Sequence, residues 1–149
     1  MEVQKDFKEF IELLNAHNVD FIIVGGYALA YHGAPRYTGD IDVFVKPDSN
    51  NSRRIIKVLE EFGFSTLELS IDDFQKTDSV VQLGLPPVRI DIITSISGVS
   101  WEQAEATKEP GKYGEVPVFF IGKDQYIANK WATGRAKDIA DIEALGEDD

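Results

Sequence analysis

Three aspartates stand in runs that otherwise suit a β-sheet. Asp40 and Asp42 lie in DIDVFV, residues 40–45, and Asp91 lies in VRIDII, residues 88–93. Aspartate is a poor strand former, and a carboxylate taken out of water is costly unless it is paired. Residues two apart on a strand share a face, so Asp40 and Asp42 would present their carboxylates side by side. If the strand of Asp91 is a neighbour facing the same way, three carboxylates converge. Like charges that close raise one another's pKa values unless a cation sits among them. Mg²⁺ suits such a cluster, with Mn²⁺ the alternative, because a hard ion takes carboxylate oxygens and keeps positions for water and phosphate. Two such ions could activate an attacking oxygen and stabilise a leaving one.

A second feature lies upstream. Gly25-Gly26 closes the apolar run DFIIV and precedes YALAYHG. Glycines between a strand and a helix let the backbone approach a ligand, and free N–H groups at a helix start favour phosphate. Thirteen residues, 27–39, separate this turn from Asp40, room for one helix and a return. Further along, Lys130 in DQYIANKWATG could reach β- or γ-phosphates or be a solvated helical lysine.

These groups need elements to position them. Phe7, Phe10, Ile11 and Leu14 recur at i, i+3, i+4 and i+7, which predicts an amphipathic helix over 6–19. Residues 20–24 read as a buried strand, and YALAYHG as a short helix closed by Gly33. APRYTG is a loop. In DIDVFV, Ile41, Val43 and Val45 take one face and Asp40, Asp42 and Phe44 the other. A second amphipathic helix spans 50–62, with Ser49 or Asn50 as its cap. SVVQLGLPPVRIDIIT reads as two strands joined around Gly84–Pro87. Residues 100–107 are helical, VPVFFI is a strand, and 123–132 and 135–145 are helices. The interspersed order with a hairpin predicts an α/β (α+β) fold, a mixed sheet flanked by helices. With no linker in view, 1–149 is expected to be a single domain, its core about 1–121 and a helical C-terminal appendage about 122–149.

Composition narrows the classes. The chain has 149 residues, 43% hydrophobic and 11% aromatic, enough for a folded core. No apolar run approaches the roughly 18 residues of a membrane span, and the start shows no secretory pattern. Cysteine is absent, which excludes disulfides, thiolate metal sites and cysteine nucleophiles, and makes a cytoplasmic location the default. The net charge of −11 opposes an extensive nucleic-acid surface. Part of that charge is GEDD at the end, expected to be a solvated tail. DID within a strand lacks the Gly-centred acidic loop of a calcium module.

Taken together, VGG, thirteen residues, DIDV and a later RID strand resemble the nucleotidyltransferase superfamily typified by DNA polymerase beta. APRYTGDIDVFV resembles the R-x-T-x-D-I-D segment of its small, minimal bacterial and archaeal members, including those of toxin–antitoxin and abortive-infection systems. KWATGRAKDIADIEAL resembles their closing segment, so the resemblance covers nearly the whole chain. It implies a nucleotidyltransferase fold and a metal-dependent transfer of a nucleoside monophosphate from a nucleoside triphosphate, ATP first, to a hydroxyl, with pyrophosphate leaving. It implies that Gly25 and Gly26 hold the triphosphate, with Arg36 and Thr38 on the approach. Asp40 and Asp42 would bind both metal ions, and Asp91 would bind the catalytic one and help deprotonate the acceptor. The acceptor stays open between a protein, an RNA end and a small molecule such as an antibiotic. Another class also stays open: an antitoxin or assembly subunit of this fold that acts by binding a protein partner or a second copy of itself.

Other residues have blander readings. Arg36 could structure its loop. Asp91 could pair with Arg89. Arg135, Lys137, Asp138 and Asp141 read as helix-surface pairs. His17 and His32 are too scattered for a metal cluster, His32 reading as a helix-end residue. Trp101, Trp131, Tyr27 and Tyr31 read as core or partly buried aromatics.

Overall fold

The computed structural model describes residues 3–34, 39–64, 69–85 and 88–146. Arg36 and Thr38, the joint at Pro86-Pro87 and the terminal EDD lie outside them.

Helix α1, Lys5–Ala16, turns Phe7, Phe10, Ile11 and Leu14 into the core, as its spacing requires. Strand β1, Phe21–Val24, is buried along its whole length. Helix α2, Gly25–Tyr31, follows without an intervening loop. Strand β2, Asp40–Val45, leads to helix α3, Ser49–Glu61. The cap of α3 is Asp48, one residue earlier than the expected Ser49 or Asn50: its Oδ1 accepts from the Asn51 N–H at 2.7 Å. A carboxylate there also meets the positive end of the helix dipole. Asn51 is fully buried and exchanges bonds with the Asp20 backbone, tying the helix start to the entry of β1.

A short helix, α4 (Ile71–Gln75), was not legible from periodicity, since a single turn carries none. Strands β3, Val80–Leu85, and β4, Val88–Ile93, are antiparallel, as expected of the hairpin. Helix α5, Trp101–Thr107, precedes β5, Glu109–Tyr113, a strand the sequence did not suggest. EPGKY has poor strand propensity, but it pairs across a tight turn with β6, Val116–Phe120, and occupies a sheet edge where Pro110 is tolerated. Helices α6, Lys123–Thr133, and α7, Ala136–Ala144, complete the described chain.

The six strands form one mixed sheet in the order β3-β4-β2-β1-β6-β5. Strands β2 and β4 are parallel, as are β1 and β6, and the other neighbours are antiparallel. The fold is thus the helix-flanked mixed α/β sheet that the alternation of elements implied. Ile41, Val43 and Val45 are buried on one face of β2. On the other face Phe44 is covered by Trp101 of α5, the rings edge to face at 5.1 Å. The aspartates share that second face. Among the described residues no helix is long and apolar enough to cross a membrane.

Candidate active site

The register of β2 against β4 decides the geometry. Asp42 stands opposite Asp91, and Asp40 opposite Arg89. Partners in a parallel pair point to the same face, so the carboxylates of both strands meet. One oxygen from each of Asp40, Asp42 and Asp91 can be chosen with all three within 4.8 Å of one another. Two strands far apart in sequence therefore supply one cluster.

Arg89 lies against it. Its Nη2 donates to Asp40 Oδ2 at 2.9 Å and to Asp91 Oδ2 at 3.1 Å, and its Nε donates to Asp91 Oδ1 at 3.0 Å. The pairing of Arg89 with Asp91 was one of the readings open from sequence. Its reach to Asp40 was not foreseen, because that contact depends on the strand register. The hydrogen bonds to Asp91 and then Asp40 raise the Arg89 pKa further.

Asp42 is strongly perturbed. Desolvation, then the charges of Asp40 and Asp91 and a hydrogen bond with Asp91, push its pKa up to about 7, against a smaller lowering by Lys130. Asp91 is also raised, first by burial, with the Arg89 hydrogen bond and charge opposing it. Burial and mutual repulsion thus both favour a proton on this cluster.

Gly25 forms the other wall. Strand β1 pairs Val24 with Asp42, so the next residue passes directly beside that carboxylate. The φ of Gly25 is +68°, a conformation that side chains resist, and a Cβ there would collide with Asp42 Oδ2. Gly26 follows, buried in the first turn of α2.

Lys130, on α6, lies near enough for its charge to lower the Asp42 pKa. The helix is seated against the turn after β4: Asn129 Nδ2 donates to the Ser97 carbonyl at 2.9 Å, and Gly98 packs where a Cβ would strike Ala132 and the Ala128 carbonyl. Lys130 is mostly buried, its Nζ 3.6 Å from Asp138 Oδ1 and 5.4 Å from the centre of the Tyr126 ring. It is not the solvated lysine that was the alternative.

Asp138 corrects the surface reading of the closing segment. It is fully buried, and Asp141 is nearly so. Asp138 Oδ2 accepts from Thr133 Oγ1 and Arg135 Nε, both at 2.7 Å, and Oδ1 accepts from Arg135 Nη2 at 3.2 Å. Burial alone would raise its pKa; the bonds from Arg135 and Thr133 and the charge of Lys130 outweigh that and hold it well below the usual carboxylate range. A local signal was present. Asp138 is the third residue of α7 and completes a capping box with Arg135, a position where an acidic side chain turns back toward the helix start.

The remaining residues fall outside the cluster. His32 ends α2 and its Nε2 donates to the Ile121 carbonyl at 2.7 Å, and His17 pairs with Glu61. Tyr27 and Trp101 are core, and Tyr31 stacks on Phe120. Trp131 departs from the buried reading, being 44% exposed.

A family model described as nucleotidyl transferase AbiEii toxin, Type IV TA system, matches residues 12–110. The chain belongs to the AbiEii nucleotidyltransferase family. That span contains Gly25, Gly26 and all three aspartates. This AbiEii chain also shares its fold with solved nucleotidyltransferases. One is a putative nucleotidyltransferase, TM1012, from Thermotoga maritima: TM-score 0.63, 14% identity, covering 93% of this chain and 89% of that one. Another is the lincosamide antibiotic adenylyltransferase LnuA, bound to lincomycin: TM-score 0.57, 14% identity, covering 98% of each. A third is an antigenic nucleotidyltransferase-like protein from Paracoccidioides brasiliensis: TM-score 0.55, 20% identity, covering 94% and 74%. Comparison of the sequence with curated proteins finds no match. Membership of the AbiEii family makes the chain a nucleotidyltransferase, which implies a nucleoside triphosphate as donor.

Proposed function

We propose that this AbiEii-family chain transfers a nucleoside monophosphate, from ATP in the first instance, to a hydroxyl acceptor at the Asp40–Asp42–Asp91 cluster. The observation that carries the reading is the meeting of these carboxylates beside the Gly25 backbone. The donor set fits a divalent ion: all oxygen, close together, and beside the Gly25 backbone, which carries no side chain. Mg²⁺ or Mn²⁺, as one or two ions, would supply Lewis acidity toward the α-phosphate and its leaving pyrophosphate.

The residues then divide the work. Asp40 and Asp42 would hold the ions, with Asp91 completing the cluster and accepting the acceptor's proton. Its raised pKa suits a base that needs some proton affinity. Gly25 and Gly26 would give the triphosphate close access to backbone N–H groups. Lys130, aimed by Asp138, would meet the outer phosphates, and Arg36 and Thr38 would line the approach. The rest is positioning and charge neutralisation, as in other phosphoryl transfers. We take the whole chain as one catalytic domain, with α6 and α7 as its appendage, working in the cytoplasm; the lack of cysteine accords with that location.

The acceptor class has one pointer. The alignment with the lincomycin-bound adenylyltransferase spans 98% of both chains, so a chain of this size can serve a small-molecule acceptor. That supports a small hydroxylated molecule as a second reading beside a protein or RNA end. The test is pyrophosphate release from ATP with Mg²⁺ and panels of each acceptor class. Wild type should release pyrophosphate with one panel, and Asp40→Asn/Asp42→Asn should lose on the order of a thousandfold or more in rate. A double variant that keeps the wild-type rate disproves the site.

A further inference from the structure

We propose that Arg89 is an internal counter-ion that a divalent cation must displace from the carboxylate cluster, so that Arg89 sets the cluster's cation affinity. The inference rests on the metal reading above and extends it. Arg89 projects from β4 in register with Asp40 and two residues before Asp91, on the same face as both. Its three hydrogen bonds engage both oxygens of Asp91 and one of Asp40. Those are oxygens a hard cation would also use. A guanidinium and a metal ion cannot both take them at full strength, so each lowers the other's occupancy.

Two features make Arg89 a displaceable occupant. Its side chain is 30% exposed while that of Asp91 is 8% exposed, so the cation can swing outward while the carboxylates stay packed. The guanidinium stays charged at any pH the protein tolerates, so this competition is not relieved by deprotonation. The bidentate fork explains why the residue is arginine: it spans two carboxylates from adjacent strands, which a lysine's point charge would not do.

A residue that merely held Asp40 and Asp91 in place would have the opposite signature, because its removal would loosen the ligands and weaken cation binding. The test uses the full chain and Mn²⁺ alone, with titration calorimetry and paramagnetic resonance reading bound ion. Arg89→Gln should bind Mn²⁺ about tenfold or more tightly than wild type. In chelator it should melt at a lower temperature than wild type, and Mn²⁺ should raise its Tm by the larger amount. Equal or weaker binding by Arg89→Gln overturns the proposal and leaves the metal reading standing. If neither protein binds Mn²⁺ better than Asp40→Asn/Asp42→Asn, the metal reading fails and this proposal with it. Should Arg89→Gln not fold, Arg89→Lys carries the test: a severalfold tighter Kd supports displacement, and an unchanged or weaker one overturns it.

Discussion

Gly25 abuts Asp42 so closely that no side chain fits between them, because β1 ends level with the second aspartate of β2. The backbone there also has a φ of +68°. Gly25→Ala therefore incurs both left-handed backbone strain and a collision with a carboxylate. We expect it to destabilise the fold by about 2–4 kcal/mol and to abolish nucleotidyl transfer. Urea melts and pyrophosphate release check this together. A Gly25→Ala chain with wild-type stability and rate would show that the close approach has no consequence.

Asp42 should make the protein less stable as pH rises. Its folded pKa of about 7 lies above the ordinary 3.8, so the folded state keeps the proton longer than the unfolded one. Between about pH 4 and 7 the unfolded state binds fewer protons, and stability from this group falls with increasing pH. Asp42→Asn mimics the protonated form. It should exceed wild type in stability by about 2 kcal/mol at pH 8, with the difference closing near pH 4. Urea unfolding of both proteins across that range is the measurement, and a pH-independent difference would contradict the raised Asp42 pKa.

Divalent ions require the deprotonated cluster, so Mn²⁺ affinity should rise with pH up to the Asp42 pKa and then level off. Lys130 lowers that pKa. Lys130→Ala should move the Mn²⁺-binding profile to higher pH and raise the KM for the triphosphate, on the order of tenfold for a lost charge contact to phosphate. An unmoved profile in the variant would place Lys130 outside the site's electrostatics.

Asp138 holds α6, α7 and Lys130 together from a buried position. Its depressed pKa means that its contribution is present above the ordinary carboxylate range and is lost as pH falls through the folded value. Asp138→Asn leaves Arg135 and Lys130 without their counter-charge and should cost about 3 kcal/mol at pH 7, narrowing below about pH 4. Thermal melts at several pH values follow it. A neutral effect at pH 7 would mean that Arg135 and Lys130 find other partners.

The sequence alone determined the ingredients and much of the frame. Side-chain alternation put Asp40 and Asp42 on one face, helical spacing placed α1 and α3, and Gly25-Gly26 before a helical run marked the turn. These are local patterns, fixed by the periods of strand and helix. Where they were weak, the sequence was silent: β5 forms from EPGKY because β6 offers it a partner, and α4 is too short to show a period. Only the tertiary structure decided which residues meet. The parallel register of β2 and β4 set Asp91 opposite Asp42 and Arg89 opposite Asp40, turning a residue read as a strand-mate of Asp91 into a clamp across two strands. The seating of α6 on the turn at Ser97 and Gly98 brought Lys130 near enough for its charge to act on Asp42, and the packing of α7 buried Asp138 beside Lys130. Register and helix seating arise from contacts between residues far apart in the chain, which local periodicity does not encode.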